Sequence, residues 1–284
     1  MVVILWADTF NNHFTPPVSK AAVQVLEDAG FEVRVPRQSL CCGRPLYDYG
    51  MLDTAKALLE QILETLREPI RAGVPIVGLE PSCMSVFRDE LRNLFPNDED
   101  AKRLHGQSFM LSEFLHDEVK NYQPPRLKRK ALVHGHCHHK SELHFEQEVN
   151  LLKKSGLDCH VPDSGCCGMA GSFGYETDHY DVGLACGERV LLPAVRNAAL
   201  DELIITDGFS CREMIRQETQ RRALHFAQVM QMALSEGPAG PRHILPEANY
   251  TRIERTPAVP AGIVASAALI AGAGLWWSTH RNGK

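Results

Sequence analysis

Two vicinal cysteine pairs, each followed by glycine, are the residues best equipped for chemistry: Cys41-Cys42-Gly43 in "SLCCGRPLYDYG" and Cys166-Cys167-Gly168 in "DSGCCGMAGSFG". Thiolates are soft ligands suited to iron–sulfur clusters, and backbone N–H groups aimed at the sulfurs tune such clusters. Glycine has no Cβ and tolerates positive φ, so the backbone can come close to the metal. Further thiols sit at comparable places, Cys83 in "EPSC" and Cys211 in "GFSC", each after an expected strand and before a helix. There the positive end of the helix dipole favours a thiolate. Cys137 in "HGHCHH" follows the first strand of the second half, where the first half shows Asp8. The second half thus offers Cys137, Cys166, Cys167 and Cys211, the number usual for a [4Fe–4S] cluster. The first half offers Cys41, Cys42 and Cys83, a second and incomplete set.

Zinc is the rival metal, because His134, His136, His138 and His139 surround Cys137. Structural zinc sites favour CxxC pairs, and the sequence has none. His136 and His138 are better placed as donors to a cluster sulfide or as proton carriers. Cys159 aligns with Val33 across the two halves, and Cys186 lies in an apolar helical stretch; both read as small core residues.

These residues need elements to position them. "VVIL" reads as a buried strand, "PPVSKAAVQVLEDAG" as a helix opened by proline and closed by Gly30, and "FEVRVP" as an alternating strand. A helix over 52–70, a strand at "VPIVGLE" and a turn at "PSC" follow. The second half repeats this order. "VLEDAGFEVRVP" aligns with "LLKKSGLDCHVP" without a gap, "KALVHGHC" replaces "VVILWAD", and "ELIITDGFSC" replaces "VPIVGLEPSC". The expected fold is α/β, with two repeated lobes, each a small, mostly parallel sheet flanked by helices. Residues 1–124 form the first lobe and 125–236 the second, joined through "NYQPPRLKRK". Residues 237–257, rich in proline and polar side chains, read as a linker.

The uncharged stretch 258–277 is long enough to span a bilayer as an apolar helix, with Trp276 and Trp277 as interfacial anchors; a surface Ala/Gly tail is the alternative. The slight excess of basic residues at Arg242, Arg252 and Arg255 over Arg281 and Lys284 places the main body on the cytoplasmic face of the inner membrane, or in the cytoplasm if the stretch does not span. A net charge of −5 in 284 residues gives no basis for a nucleic-acid partner. Nine cysteines without a basic, signal-like N-terminus point to a reducing compartment, where such clusters serve metal or redox chemistry.

The motifs "LWADTFNNHF", "LCCGRPLYDYG", "GLEPSC", "HGHCHH", "CCGMAGSFGYE" and "DGFSCREMI" resemble the duplicated cysteine-rich (CCG) domain. That domain occurs in the cysteine-rich subunit of heterodisulfide reductase and in the iron–sulfur subunits of glycolate oxidase and anaerobic glycerol-3-phosphate dehydrogenase. It also forms the C-terminal part of FAD-linked D-lactate dehydrogenase-like oxidases, to which the likeness over about 1–235 is greatest. The resemblance implies an iron–sulfur electron-transfer component of an FAD-linked 2-hydroxy-acid oxidoreductase. Its partners would be an FAD-binding oxidase and a ferredoxin-type subunit, with a quinone or other membrane acceptor downstream. A heterodisulfide reductase-like thiol–disulfide reductase and a non-redox zinc protein are the alternatives. Asp8, Glu80 and Gly208 stand where the heterodisulfide reductase pattern has cysteines, which favours one cluster biased to the second half. The sequence has neither a CxxCxxCxxxCP segment nor an FAD-binding region, so FAD is expected on a partner chain and the chain reads as a split-off C-terminal module.

Overall fold

A computed structural model describes residues 1–251. β1 (Val2–Leu5), β2 (Glu32–Arg34), β3 (Ile76–Gly78) and β4 (Ser108–Met110) form a sheet in the order β2-β1-β3-β4. β5 (Lys130–Val133), β6 (Asp158–His160) and β7 (Leu203–Ile205) form a second in the order β6-β5-β7. Every pairing is parallel. Parallel strands need crossover helices that cover both sheet faces. This is why the central strands VVIL, IVG, KALV and LII are apolar and largely buried. The α/β fold of two small helix-flanked parallel sheets agrees with the sequence reading.

The strand registers show how the halves superimpose. Ile4 pairs with Ile76 in one sheet, and Leu132 with Ile204 in the other. Val3 pairs with Val33, and Ala131 with Cys159. Cys159 is therefore the counterpart of Val33, half-buried against the core. The register also corrects one pairing. Two residues beyond Trp6 and His134, Asp8 matches His136, and it is Thr9 that matches Cys137.

Other differences have local causes. The helix expected over 52–70 is two helices, Leu52–Thr65 and Arg67–Arg71, because Pro69 has no N–H to bond the Thr65 carbonyl. "PSC" is not a free turn but the first turn of the helix Pro81–Arg88, with Pro81 at its first position. β4, only three residues long, is too short to announce itself. Cys186, expected in the core, is exposed on the helix Tyr180–Glu188.

The sheets share one core. Val3, Leu5, Val77 and Leu79 from the first join Ala131, Val133, Leu203 and Ile205 from the second in a single buried cluster. The helices Pro16–Asp28 and Phe226–Glu236 pack against each other within it. Residues 237–251 lie against the second lobe. Glu247, in the turn Pro246–Asn249, is buried and pairs with buried Arg221 at 2.8 Å. Among the described residues no helix is long and apolar enough to cross a membrane, and the segment 258–277 lies outside them.

Candidate functional site

In an open parallel sheet, ligands bind beyond the carboxyl ends of the strands, where crossovers leave in opposite directions. In each lobe three strand ends carry the cysteines, or the threonine that stands in for one, there. β5 runs into the helix Cys137–Glu142, whose first residue is Cys137. β6 leads to the Cys166-Cys167-Gly168 loop, and β7 to the helix Phe209–Glu218, whose third residue is Cys211. In the first lobe β1 leads to Thr9, β2 to Cys41-Cys42-Gly43, and β3 to Cys83 at the third position of its helix.

The structure brings the four cysteines of the second lobe into one chain of contacts. Cys166 is within hydrogen-bonding reach of both Cys137 and Cys167, and Cys167 of Cys211. The first lobe repeats the chain with one substitution: Thr9 reaches Cys41, Cys41 reaches Cys42, and the Cys42 and Cys83 sulfurs are 3.0 Å apart. All nine cysteines are free thiols.

The glycine after each pair sets the loop. Gly43 has φ +80° and Gly168 φ +95°, a left-handed turn that returns the backbone towards the thiol two residues earlier. Gly168 N–H donates to Cys166 Sγ at 3.3 Å, and the Gly43 N–H points likewise at Cys41. At Gly168 there is no room for a side chain, because a Cβ would meet the Gly183 carbonyl oxygen at 1.8 Å.

The two sets differ in their electrostatics. Cys167 S–H beside Cys211 holds the Cys211 thiol well below the usual range, assisted by His134 and His136. Contacts with Cys137 and then Cys167 hold Cys166 low as well, while Cys137 and Cys167 are pushed up chiefly by their shared contacts with Cys166. In the first lobe, contact with Cys42 lowers Cys83, but burial and the carboxyls of Asp8 and Glu80 outweigh it. Cys41 and Cys42 are also raised on balance, Cys41 mainly by Cys42, and Cys42 by Cys83 and burial despite the opposing effect of Cys41. One matched position adds to the contrast: the Asp8 carboxyl raises Cys83 in the first lobe, and the His136 imidazole lowers Cys211 in the second.

The residues standing where cysteines were expected have other work. Asp8 caps its helix by accepting from Asn11 N–H at 2.9 Å, and His136 caps the matching helix through Nδ1 from His138 N–H at 3.3 Å. Glu80 accepts from Ser82 at the start of its own helix and from Phe209 N–H of the other lobe at 2.8 Å. At Gly208 a Cβ would meet the His136 ring at 2.4 Å, so a cysteine there conflicts with the imidazole.

His136 is buried, its Nδ1 lies 3.9 Å from Cys137 Sγ, and its ring stacks on half-buried His138 with centroids 5.4 Å apart. His134, which sequence reasoning left among the ambiguous histidines, donates or accepts at Ser164 Oγ at 2.7 Å and faces Cys211. His139 points elsewhere, towards Glu148. Beside the thiols lies a cleft of about 450 Å³, walled by Phe10, Phe209, Tyr49 and Tyr175 and floored by Cys137 and His138. Phe10 and Phe209, from different lobes, stack there at 4.8 Å. Nothing in the linear order marks this cleft, since its wall residues are scattered over the chain.

Four thiols linked in one chain of contacts, two of them favouring the thiolate form and one vicinal pair backed by a glycine turn, fit an iron–sulfur cluster better than an isolated zinc site. Cys137, Cys166, Cys167 and Cys211 can supply four thiolates; Thr9 leaves the first set one short.

Comparison with known proteins agrees with the motifs. Residues 8–88 match the model of the cysteine-rich (CCG) domain. A subunit of the anaerobic glycerol-3-phosphate dehydrogenase of Escherichia coli K12 is 28% identical over 80% of this chain and 57% of its own. Lactate utilization protein A 2 of Bacillus cereus Q1 is 27% identical over 83% of this chain and 100% of its own. D-2-hydroxyglutarate dehydrogenase of Pseudomonas putida is 26% identical over 80% of this chain but 22% of its own. The chain therefore spans about half of the first of these relatives and a fifth of the last. Residues 8–88 thus match the cysteine-rich (CCG) domain, and over most of its length the chain is similar to proteins that include an anaerobic glycerol-3-phosphate dehydrogenase subunit and a lactate utilization protein.

Proposed function

We propose that the protein is the iron–sulfur electron-transfer component of an FAD-linked dehydrogenase acting on a 2-hydroxy acid of the lactate or glycolate type. The observation that carries this is the converging quartet Cys137, Cys166, Cys167 and Cys211, with His134 and His136 favouring thiolate at its buried end. Similarity to proteins named for lactate utilization and D-2-hydroxyglutarate dehydrogenation supports the substrate class.

On this reading the quartet holds a [4Fe–4S] cluster, which supplies one-electron transfer when bound. The chain's own contribution is placement. The glycine turns aim N–H groups at Cys166 and Cys41, and Cys42, Cys167 and Cys211 are shielded from water. His136 keeps a titratable nitrogen within 3.9 Å of the Cys137 sulfur. The aromatic cleft over Cys137 and His138 gives a flat acceptor such as a quinone, or a partner's surface, a short approach to the thiols. FAD belongs to a partner oxidase, and a ferredoxin-type subunit stands between them. Cys41, Cys42 and Cys83 form a second, incomplete set.

Anaerobic purification with iron and sulfide quantitation and an EPR spectrum tests the reading. Wild type and Cys159→Ser should carry iron, sulfide and a signal, and Cys167→Ser should lose all three. Equal behaviour of the two variants, or a wild type without sulfide, refutes the ligand set. The cleft against Cys137 favours thiol–disulfide reduction as a second reading, and disulfide turnover by the isolated chain would establish it over the carrier role. We further propose that 258–277 holds the protein at the cytoplasmic face of the inner membrane. Deleting 258–284 should then release it from membrane fractions; a full-length chain already free of them refutes the anchor.

A further inference from the structure

Away from the thiols, three ionisable side chains meet in the interior of the second lobe. His139 lies on the helix Cys137–Glu142, Glu148 on the helix Phe145–Ser155, and Asp207 two residues past β7. All three are at most 1% exposed. Each contributes one ligand atom to a group whose members lie within 4.8 Å of one another. His139 Nδ1 is 3.6 Å from Glu148 Oε2.

Their hydrogen bonding is incomplete. Asp207 Oδ1 accepts from Phe226 N–H at 2.8 Å, but Oδ2 has no donor. Neither oxygen of Glu148 has a donor; the hydrogen-bonding neighbour it faces is the Asp207 carboxyl, itself an acceptor when ionised, and His139 Nε2 is also unpartnered. His225 Nε2 lies 3.4 Å from Asp207 Oδ1, but it donates to the Leu79 carbonyl at 2.8 Å and its Nδ1 accepts from Ala227 N–H, so Oδ2 stays without a donor. A buried carboxylate without donors is strongly unfavourable, and two side by side more so.

The fold itself does not require these groups. Carried through the gapless alignment of the repeats, Glu148 corresponds to Ala22, and the strand register matches Asp207 to Leu79; both are fully buried apolar residues. The first lobe closes the same space with hydrocarbon.

We propose that His139, Glu148 and Asp207 bind a divalent metal ion of the manganese-to-zinc series, separate from the cysteine site. Two carboxylates and one imidazole, with no thiol, suit such an ion, which cancels the buried charge and occupies the orphaned atoms. The ion ties the helix that begins at Cys137 to the end of β7, four residues before Cys211. A fully buried site of this kind is filled as the chain folds.

The test uses the full chain purified anaerobically from cultures supplemented with manganese or zinc, with metals and sulfide measured together. Wild type should carry about one divalent equivalent beyond the iron that accompanies sulfide, and Cys167→Ser should retain it. Because removing an outer-shell partner alone costs roughly 10–100-fold in affinity, Glu148→Gln and Asp207→Asn should lose it entirely, in both backgrounds. Circular dichroism separates that loss from unfolding, and the double swap Glu148→Ala with Asp207→Leu, copied from the first lobe, should fold without the metal. No surplus equivalent in wild type overturns the site, as does a surplus that survives both ligand variants. A carboxylic-acid band that disappears in Glu148→Gln, in a protein without the metal, assigns the pair a shared proton instead. Loss of sulfide with the surplus ion intact would count against the cysteine site only.

Discussion

Gly43 and Gly168 occupy the same place in their loops, yet the side chain each excludes meets different surroundings. A Cβ at Gly43 would touch Ala55 at an ordinary 3.5 Å, whereas one at Gly168 would strike backbone. Gly43→Ala should therefore carry mainly the left-handed penalty, about 1–2 kcal/mol. Gly168→Ala adds an overlap that only backbone movement relieves, and should cost about 3 kcal/mol or more. Gly165→Ala, with no neighbour within 4 Å, should stay within about 0.5 kcal/mol of wild type. Denaturant midpoints on the three variants rank them. That Cys41-Cys42 and Cys166-Cys167 occupy matching loops was legible, because a thiol pair before glycine is a rare local pattern and it occurs twice. Thr9 was not, because its relation to Cys137 lies in strand register, and a text alignment placed Asp8 there. The environment of Cys186 was missed for a similar reason: an apolar neighbourhood in sequence does not say which face of a helix is covered.

At the level of elements, the helix starts connect the lobes. Gly208 offers no side-chain acceptor to the helix Phe209–Glu218, and Glu80 of the other lobe accepts from its first N–H. Burial raises the Glu80 carboxyl from its usual range, while Arg212 and the N–H donors oppose the shift. Arg212 in turn donates to Asn11 at 2.8 Å across the same junction. Glu80→Ala leaves two helix starts uncapped and should lower stability by about 2 kcal/mol in a denaturant titration. Glu80→Gln, which keeps an acceptor, should lose less. The strands and most helices could be read from apolar runs, proline starts and glycine stops. Cross-lobe capping could not, because it joins residues far apart in the chain and uses a glutamate that local patterns assign to its own helix.

For the molecule as a whole, the boundary expected after residue 236 is not where the fold ends. Arg221 donates to Glu247 and to the carbonyls of Ala199 and Glu202, so the polar segment after the last long helix is fastened to the second sheet. Composition alone suggested a linker there, since proline and polar residues are common in both linkers and well-packed turns. Glu247→Ala should strand the Arg221 guanidinium and cost about 3–5 kcal/mol, measured as a drop in denaturation midpoint. Glu247→Gln should restore part of it.

The core common to both sheets has a historical consequence. A chain that once held two self-sufficient copies can shed ligands from one copy only after that copy has become indispensable as scaffold. Here the copy with three thiols supplies the carboxylate that starts its sibling's helix and half of the hydrocarbon beneath it. Removing the first copy would therefore expose that shared hydrocarbon and leave its sibling's helix start uncapped.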